Sequence, residues 1–447
     1  MVQSRAAAAE PVSKLEIFGW AMFDVSNSAY TTVVITIVYS AFFVHHLVPE
    51  TSEWGNTYWG VAMVVSNLLT MLLAPLMGTL CDLKGGKKRF LLGNMLLCAV
   101  TTACLYFVGP GAIGWAILLI TISNVAWMLS EVFCASFLTD LATPKTMGLI
   151  SGIGWGVGYL GGLLSLVMVL FGVITTTAEA DLATYIHQNQ LSMLAVGAFF
   201  VVVSLPTILW LKERDPIRRD VSAKEVWRQT WQRLSHCWQL TRALPVLWRF
   251  FLVFTLYSAG MAIVIKFFGI YVDARLSLSA GEKTTIFLAL QVSAFVGAVA
   301  FGVLETRIGP KATIFLTLVW WILGVLSIYG LTPLSEWLGM TENQVFTICA
   351  LLAGSGLGST QSASRTIVGL LTPVRYSAMM FGFWGLFGRL ATILGSLSFA
   401  LVADLFSLQD GLLVILAFFV LGAVLVLGVP ISQGMKQAGH HADNGAT

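Results

Sequence analysis

Long apolar stretches recur along this chain of 447 residues and constrain its fold more than any other feature. A helix that crosses a bilayer needs about 20 apolar residues, and the sequence offers twelve such stretches between polar breaks. Only 11% of the residues are charged, whereas soluble proteins carry about a quarter. A water-soluble enzyme and a secreted disulfide scaffold are therefore excluded, and the net charge of +3 gives no field that would attract nucleic acid. The sequence predicts an all-helical, multi-pass membrane protein.

The predicted spans form two groups of six. The first group covers 17–47, 57–81, 89–109, 112–138, 147–173 and 191–211, and the second covers 248–272, 284–304, 312–331, 345–371, 376–403 and 411–431. The predicted division of the chain is a leader 1–16, a first bundle 17–211, a linker 212–247, a second bundle 248–431 and a tail 432–447.

The distribution of positive charge predicts the orientation. If the N-terminus lies in the cytoplasm, only Arg275 and Lys283 of the 25 Lys and Arg fall in outer loops, and Lys266, Arg365 and Arg389 lie within spans. All the others fall on the inner side, where membrane proteins concentrate basic residues. We therefore expect a cell (inner) membrane protein with both termini in the cytoplasm.

The linker contains a predicted amphipathic helix. Aromatic and apolar side chains recur there at helical spacing opposite basic ones: Trp227, Trp231, Leu234 and Trp238 face away from Lys224, Arg228 and Arg233. Such a helix lies in the interface between lipid and water. We interpret it as a brace between the two bundles rather than as a regulatory target.

The two halves repeat one another. Asp82-Leu-Lys84-Gly-Gly86 follows the second span, and Glu305-Thr-Arg307-Ile-Gly309 follows the eighth. Both read acid-x-base-x-Gly and are followed by a basic residue. Parallel repeats of six spans occur in transporters, which bind substrate between the halves near the bilayer midplane.

The segment Gly78-Thr-Leu80-Cys-Asp82-Leu-Lys84-Gly-Gly86-Lys87-Lys88 resembles the loop signature of the major facilitator superfamily. The resemblance implies two pseudo-symmetric six-helix bundles and a conformational lock that helps to hold the outward-facing state. Inside-positive anchoring alone explains the lysines, but it does not explain the glycines or Asp82, whose carboxylate can cap a neighbouring helix. The expected lock residues are Gly78, Asp82, Gly86, Lys87, Lys88, Glu305 and Arg307.

Three further segments resemble the vacuole-effluxer-like branch, which comprises fungal autophagy-related vacuolar amino-acid effluxers and bacterial relatives. They are Trp20-Ala-Met-Phe-Asp24-Val-Ser-Asn27-Ser28-Ala-Tyr30, Phe137-Leu-Thr-Asp140 continuing to Ser151–Gly162, and Gly358-Ser-Thr-Gln361-Ser-Ala-Ser364-Arg365 with Phe381-Gly382 and Gly388-Arg389. The resemblance implies transport of small amino acids or similar metabolites, in the direction of export. Span seven departs from the branch: it reads Tyr257-Ser-Ala-Gly260 where an acidic residue often precedes the glycine.

Ionisable residues within spans are costly and usually face a cavity or a partner. Asp24 shares one helical face with Asn27, Ser28 and Thr31. We expect this face to line the central cavity or to take part in gating. A structural hydrogen bond to a neighbouring helix is the alternative for Asp24.

Glu131 lies in span four, and a carboxylate in such an apolar site can exchange a proton near neutral pH. The alternative is a static ion pair with Lys266, Arg365 or Arg389. Arg365 shares a face with Gln361 and suits a substrate carboxylate, because a guanidinium makes two-point contacts. Arg389 can serve the same role. The predicted substrate and coupling residues are Asp24, Asn27, Glu131, Lys266, Gln361, Arg365 and Arg389.

Small residues in span five are expected to let it approach a neighbouring helix closely. The glycines concerned are Gly152, Gly158, Gly161 and Gly162. A flexible hinge is the alternative interpretation.

The predicted function is a proton-coupled secondary transporter, monomeric and without a cofactor or metal, that acts by alternating access. A facilitator or symporter for sugars, peptides or drug-like compounds and a transporter-derived sensor remain alternatives. An intramembrane enzyme would need a motif such as His-Glu-x-x-His, and the sequence contains none.

Overall fold

The structure, a computed structural model, describes residues 11–49, 54–214, 223–235, 243–276 and 278–439. Within these ranges all the regular elements are helical, and twelve of the helices are long. In chain order they are α1 Lys14–Leu47, α2 Gly55–Lys84, α3 Lys87–Cys104, α4 Ile113–Ser136, α5 Met147–Gly172, α6 Leu182–Val203, α7 Pro245–Arg275, α8 Ala280–Ile308, α9 Pro310–Tyr329, α10 Glu342–Leu371, α11 Ser377–Leu405 and α12 Leu408–Leu427.

Eleven of these helices are long and apolar enough to cross a membrane, counting only the described residues. The remaining long helix, α10, has 30 residues but carries the polar run from Ser355 to Thr366. Its second half is almost entirely buried in the protein. A helix shielded from lipid by its neighbours does not have to be apolar, so α10 can cross the bilayer at the centre of the bundle.

Some boundaries differ from the prediction. The sixth helix starts at Leu182 instead of 191, because the polar residues before 191 are helical rather than a loop. Asp181 caps this helix, with its carboxylate accepting from the backbone N–H of Thr184 at 3.1 Å. The last long helix ends at Leu427 instead of 431, and a short helix, Ile431–Gln437, follows.

The repeat predicted from the loops is also visible in the packing. Tyr30 in α1 shares a 2.7 Å hydroxyl hydrogen bond with Ser123 in α4. At the equivalent place in the second half, Tyr257 in α7 shares a 2.7 Å hydrogen bond with Ser364 in α10. The two halves therefore use the same buried bond to join their first and fourth helices.

The halves meet along two seams. Helix α2 packs on α11, and α5 packs on α8. In the first seam Gly78 lies directly against the backbone of Ala378, and in the second Gly152 lies against the backbone of Gly302. These contacts involve the end of α2 and the start of α11, and the start of α5 and the end of α8.

We call this side of the bundle the basic face, because Lys84, Lys87, Lys88, Lys145 and Arg307 lie there. The closest helix approaches between the halves are on this side, so the bundle is closed at the basic face.

Helix α1 is not a regular α-helix throughout. Residues Tyr30–Ile37 and Phe43–Leu47 are π-helical, with i→i+5 hydrogen bonding in place of i→i+4. The sequence analysis did not predict this change, which begins two residues after Ser28, the end of the polar stretch from Asp24.

The predicted amphipathic helix of the linker is present at Ala223–Ser235 and packs against α2. Trp227 and Trp231 are both about half exposed and contact each other edge to face. Residue 238 and the side chains of residues 233 and 234, which belong to the predicted pattern, lie outside the described residues.

Candidate functional site

Four ionisable side chains predicted from the sequence form two ion pairs between the two halves, inside the bundle. In the first, an Nη of Arg365 in α10 donates to a carboxylate oxygen of Asp24 in α1 at 3.1 Å. The Arg365 side chain is 3% exposed and that of Asp24 is 12% exposed. This pair connects the first half to the second.

The guanidinium of Arg365 is held on several sides. Its Nε donates to the hydroxyl of Ser151 at 3.1 Å, and its Nη2 donates to the backbone carbonyl of Ser151 at 2.9 Å. The rings of Trp20 and Trp155 lie 4.7 and 5.5 Å from the guanidinium carbon, within range of cation–π attraction. Arg365 is therefore fixed by charge, hydrogen bonds and stacking together.

Local sequence explains how α5 approaches this pair. At Gly154 a Cβ atom would stand 2.6 Å from a carboxylate oxygen of Asp24 and 2.8 Å from an Nη of Arg365. Any side chain at this position would collide with the pair. Trp20 is held in turn by its indole N–H, which donates to the carbonyl of Cys134 at 2.8 Å.

The second ion pair is wider. Arg389 in α11 lies 3.9 Å from Glu131 in α4, and their side chains are 24% and 18% exposed. The Arg389 guanidinium lies 5.8 Å from the ring of Trp127. Among the described residues, the buried Nε of Arg389 has no hydrogen-bond partner. This pair also joins the two halves, but the Nε–H of Arg389 is not used in it.

The other predicted polar residues are placed as follows. Gln361 accepts a 2.7 Å hydrogen bond from the hydroxyl of Tyr159, which links α10 to α5 across the halves. Asn27 is buried, and its side-chain oxygen has no partner within the described ranges. The side chain of Lys266 lies outside the described residues.

The first predicted lock is built around a helix cap. The carboxylate of Asp82 accepts from the backbone N–H groups of Ala378 at 3.0 Å and Met379 at 2.8 Å, at the start of α11. A negative charge at a helix N-terminus is stabilised by the helix dipole as well as by these bonds. Asp82 thus fastens the end of α2 to the second half.

The basic residues of this lock bind within the first half. Lys87 forms a 2.7 Å ion pair with Asp140 and is buried. The ammonium of Lys88 donates to the carbonyl of Ile208 at 2.6 Å. Gly86 has a φ of 82°, a left-handed conformation that glycine adopts without strain and that lets α3 start directly after α2.

The second predicted lock differs from the first. Glu305 is buried at the end of α8, and its carboxyl group lies against Gly148 in the first turn of α5. Arg307 is exposed at the basic face. The structure therefore places the acidic residue of each repeat near the start of a helix from the opposite half.

The glycines of α5 contact two different helices. Gly158, Gly161 and Gly162 lie against α1, at Asp24, Val25 and Thr32, and Gly152 lies against α8. Close packing accounts for all four positions, because a Cβ would come into tight contact with a neighbouring atom at each of them.

The sequence analysis did not assign roles to Trp20, Ser151, Trp155 or Tyr159, which hold Arg365 and Gln361. All four lie inside the segments that carry the family resemblance. The sequence does show them as polar or aromatic side chains on spans that carry a charged residue or a glycine run. That they contact Arg365 and Gln361 becomes visible only when α1, α5 and α10 pack together.

A comparison with protein families supports the same interpretation. Residues 57–439 match the family described as vacuole effluxer Atg22 like. The chain belongs to this family. The resemblance predicted from the sequence is thus confirmed, and the match covers most of both halves.

Sequence relatives also support membership of this family. The chain is 26% identical over 417 residues to the uncharacterized MFS-type transporter YxiO of Bacillus subtilis, covering 92% of this chain and 94% of that protein. It is 21% identical over 311 residues to autophagy-related protein 22 of Yarrowia lipolytica, covering 65% of this chain and 51% of that protein. The chain thus matches about half the length of this fungal relative.

Solved structures establish the fold. The proton:xylose symporter XylE aligns with a TM-score of 0.68 at 13% identity, over 93% of this chain and 94% of that one. The transporter FucP in its outward conformation aligns with a TM-score of 0.67 at 12% identity, over 93% and 97%. The predicted major facilitator fold is confirmed, and the protein is a multi-pass membrane transporter.

Proposed function

We propose that this Atg22-like protein is a proton-coupled secondary transporter that exports small amino acids by alternating access. The observation that carries the proposal is that two largely buried ion pairs, Asp24–Arg365 and Glu131–Arg389, connect the two halves inside the bundle. Charged groups placed there respond both to a bound ligand and to the relative position of the halves.

The closed basic face supports alternation between two states. To open it, α2 must separate from α11 and α5 from α8, which breaks the cap that Asp82 places on α11. The same movement displaces α10 relative to α1 and α5, which hold Arg365. The central charges must then find new partners, and a ligand or a proton can provide them.

The wider ion pair suits an amino acid. Arg389 lies over Trp127 with its side chain 24% exposed, so its guanidinium can bind a substrate carboxylate. Glu131 can bind the substrate ammonium group, or it can take up a proton when the substrate leaves. An amino acid carries the two complementary charges on one small molecule, and the family name, vacuole effluxer, favours export.

The proposed orientation follows the charges. Basic residues gather on the closed side, and membrane proteins concentrate such residues in the cytoplasm. The basic face and both termini are then cytoplasmic in a cell membrane, the conformation is outward-facing, and the working unit is a monomer.

Transport in proteoliposomes tests the proposal. Purified protein should exchange labelled small amino acids in counterflow, and a pH gradient should drive their net accumulation. The double variant Asp24→Asn with Glu131→Gln should lose accumulation driven by the pH gradient. Unchanged driven flux in this variant would refute proton coupling through these carboxylates, and absence of counterflow with every amino acid tried would refute the substrate class.

A further inference from the structure

The acidic residues of the two repeats occupy similar places but have different surroundings. Asp82 accepts two backbone hydrogen bonds at the start of α11. Glu305 lies against Gly148 at the start of α5 and is only 4% exposed. Among the residues that the structure describes, neither carboxyl oxygen of Glu305 has a hydrogen-bond partner.

The charged groups around Glu305 are engaged elsewhere or exposed. On α10, Arg365 binds Asp24 and Ser151. At the start of α9, the ammonium of Lys311 donates to the carbonyl of Leu427. Lys145 before α5 and Arg307 on α8 are exposed, and no ion pair to Glu305 is present in the described part of the chain.

Thr366 is a polar side chain of α10 close to Glu305. It lines the same cavity as Glu305, a space of about 380 Å³ that also borders Lys145 and Gly148 at the basic face. The hydroxyl of Thr366 already donates its hydrogen to the carbonyl of Ser362 at 3.1 Å. While it makes this bond, it can accept a hydrogen bond from a neutral carboxylic acid.

From this geometry we propose that Glu305 is a proton-binding site that couples protonation from the basic face to closure of the α5–α8 seam. The start of α5 favours a negative charge through the helix dipole, but unlike Asp82 the buried Glu305 carboxyl receives no hydrogen bond from the described residues. An ionised carboxylate without donors is costly to bury, and such a group is neutral instead. When α8 separates from α5, the carboxyl group meets water and loses its proton. The closed state therefore binds one proton more than the open state, so low pH favours closure and high pH favours opening.

Glu305 is distinct from the carboxylates of Asp24 and Glu131. The inference rests on the proposed alternating-access function only because it requires an open state. Glu305 would regulate the gate from the side on which the halves are closed. Asp82 would fasten the α2–α11 seam at low and high pH alike, because its carboxylate already accepts hydrogen bonds from two backbone N–H groups.

Hydrogen–deuterium exchange of the purified protein between pH 5.5 and 8.5 tests the inference. After correction for intrinsic rates, amides at the start of α5 and the end of α8 should lose protection about tenfold as the pH rises. This is the change expected when proton binding shifts the equilibrium between the closed and open states by about a factor of ten. Amides at the α2–α11 seam in the same sample should change much less. This internal comparison needs no variant.

The variant Glu305→Gln keeps the shape of the neutral acid and should hold the α5–α8 seam protected across the whole pH range. Glu282→Gln, at the exposed opposite end of the same helix, should behave like the wild type. A wild-type seam whose protection does not depend on pH, or a Glu305→Gln variant that titrates like the wild type, would overturn the inference. Exchange is measured without substrate, so failure of amino-acid counterflow would refute the proposed function and leave this result standing.

Discussion

The two central ion pairs connect the same halves, and both use an arginine from the second half, but they differ in tightness. Arg365 and Asp24 are 3.1 Å apart and almost buried, and Ser151 adds two further bonds to the arginine. Arg389 and Glu131 are 3.9 Å apart and partly exposed. We infer that the first pair clamps the closed state and that the second is free to exchange its partner.

Loss of Arg365 is expected to have the largest effect on stability. The variant Arg365→Met keeps the bulk of the side chain but leaves Asp24 buried without its cation, which should cost about 3–5 kcal/mol of unfolding free energy. The midpoint of thermal unfolding in detergent should fall strongly, and counterflow should be lost. Adding Asp24→Asn should restore part of the stability but no transport. If the single variant melts like the wild type, the clamp does not exist.

The next largest effect is expected from Gly154→Ala, because the new methyl group would collide with Asp24 and Arg365. Overpacking of this kind costs about 1–3 kcal/mol. At Gly385, one turn before Arg389, a Cβ would stand 3.0 Å from a methyl of Val132 and 3.9 Å from the Cβ of Ala74, which is looser than at Gly154, so Gly385→Ala should cost less. Gly172→Ala, with nothing within 4 Å, serves as the control in thermal unfolding. Equal losses at 154 and 385 would contradict the tighter packing around the Asp24–Arg365 pair.

Asp82→Asn is expected to have a smaller effect. An amide can accept only one of the two backbone bonds well and carries no charge for the helix dipole, so we expect a loss of about 1 kcal/mol. The change should appear as faster hydrogen exchange at the start of α11. Exchange as slow as in the wild type would show that the cap does not fasten this seam.

Glu131→Gln is expected to have the smallest effect on stability, because the amide keeps the size of the carboxyl group and the ion pair that is lost is wide, at 3.9 Å. Its effect should appear in transport: counterflow continues, but the pH gradient no longer drives accumulation. Proteoliposome assays with and without the gradient measure both. A large drop in the thermal midpoint would contradict the inferred looseness of this pair.

Much of this architecture could be predicted from the sequence, because bilayer crossing imposes length and hydropathy on every helix. The role of Asp82 as a helix cap could also be predicted, since the sequence shows an acidic residue at the end of one span and the starts of other helices. The contacts that hold Arg365 could not be predicted, because Trp20, Ser151 and Trp155 become its neighbours only through the packing of three helices. Nor could the sequence separate Asp82 from Glu305, because the distinction lies in hydrogen-bond geometry.

The π-helical stretches of α1 change how experiments on this helix should be designed. Up to Ala29 a helical wheel with 3.6 residues per turn assigns side chains to faces correctly. From Tyr30 onward the wider turns rotate each later residue away from the position that such a wheel gives it. Cysteine-scanning accessibility along α1 should therefore follow the 3.6-residue period up to Ala29 and depart from it beyond Tyr30. Residues chosen there from a single wheel would sample the wrong wall of the transport pathway.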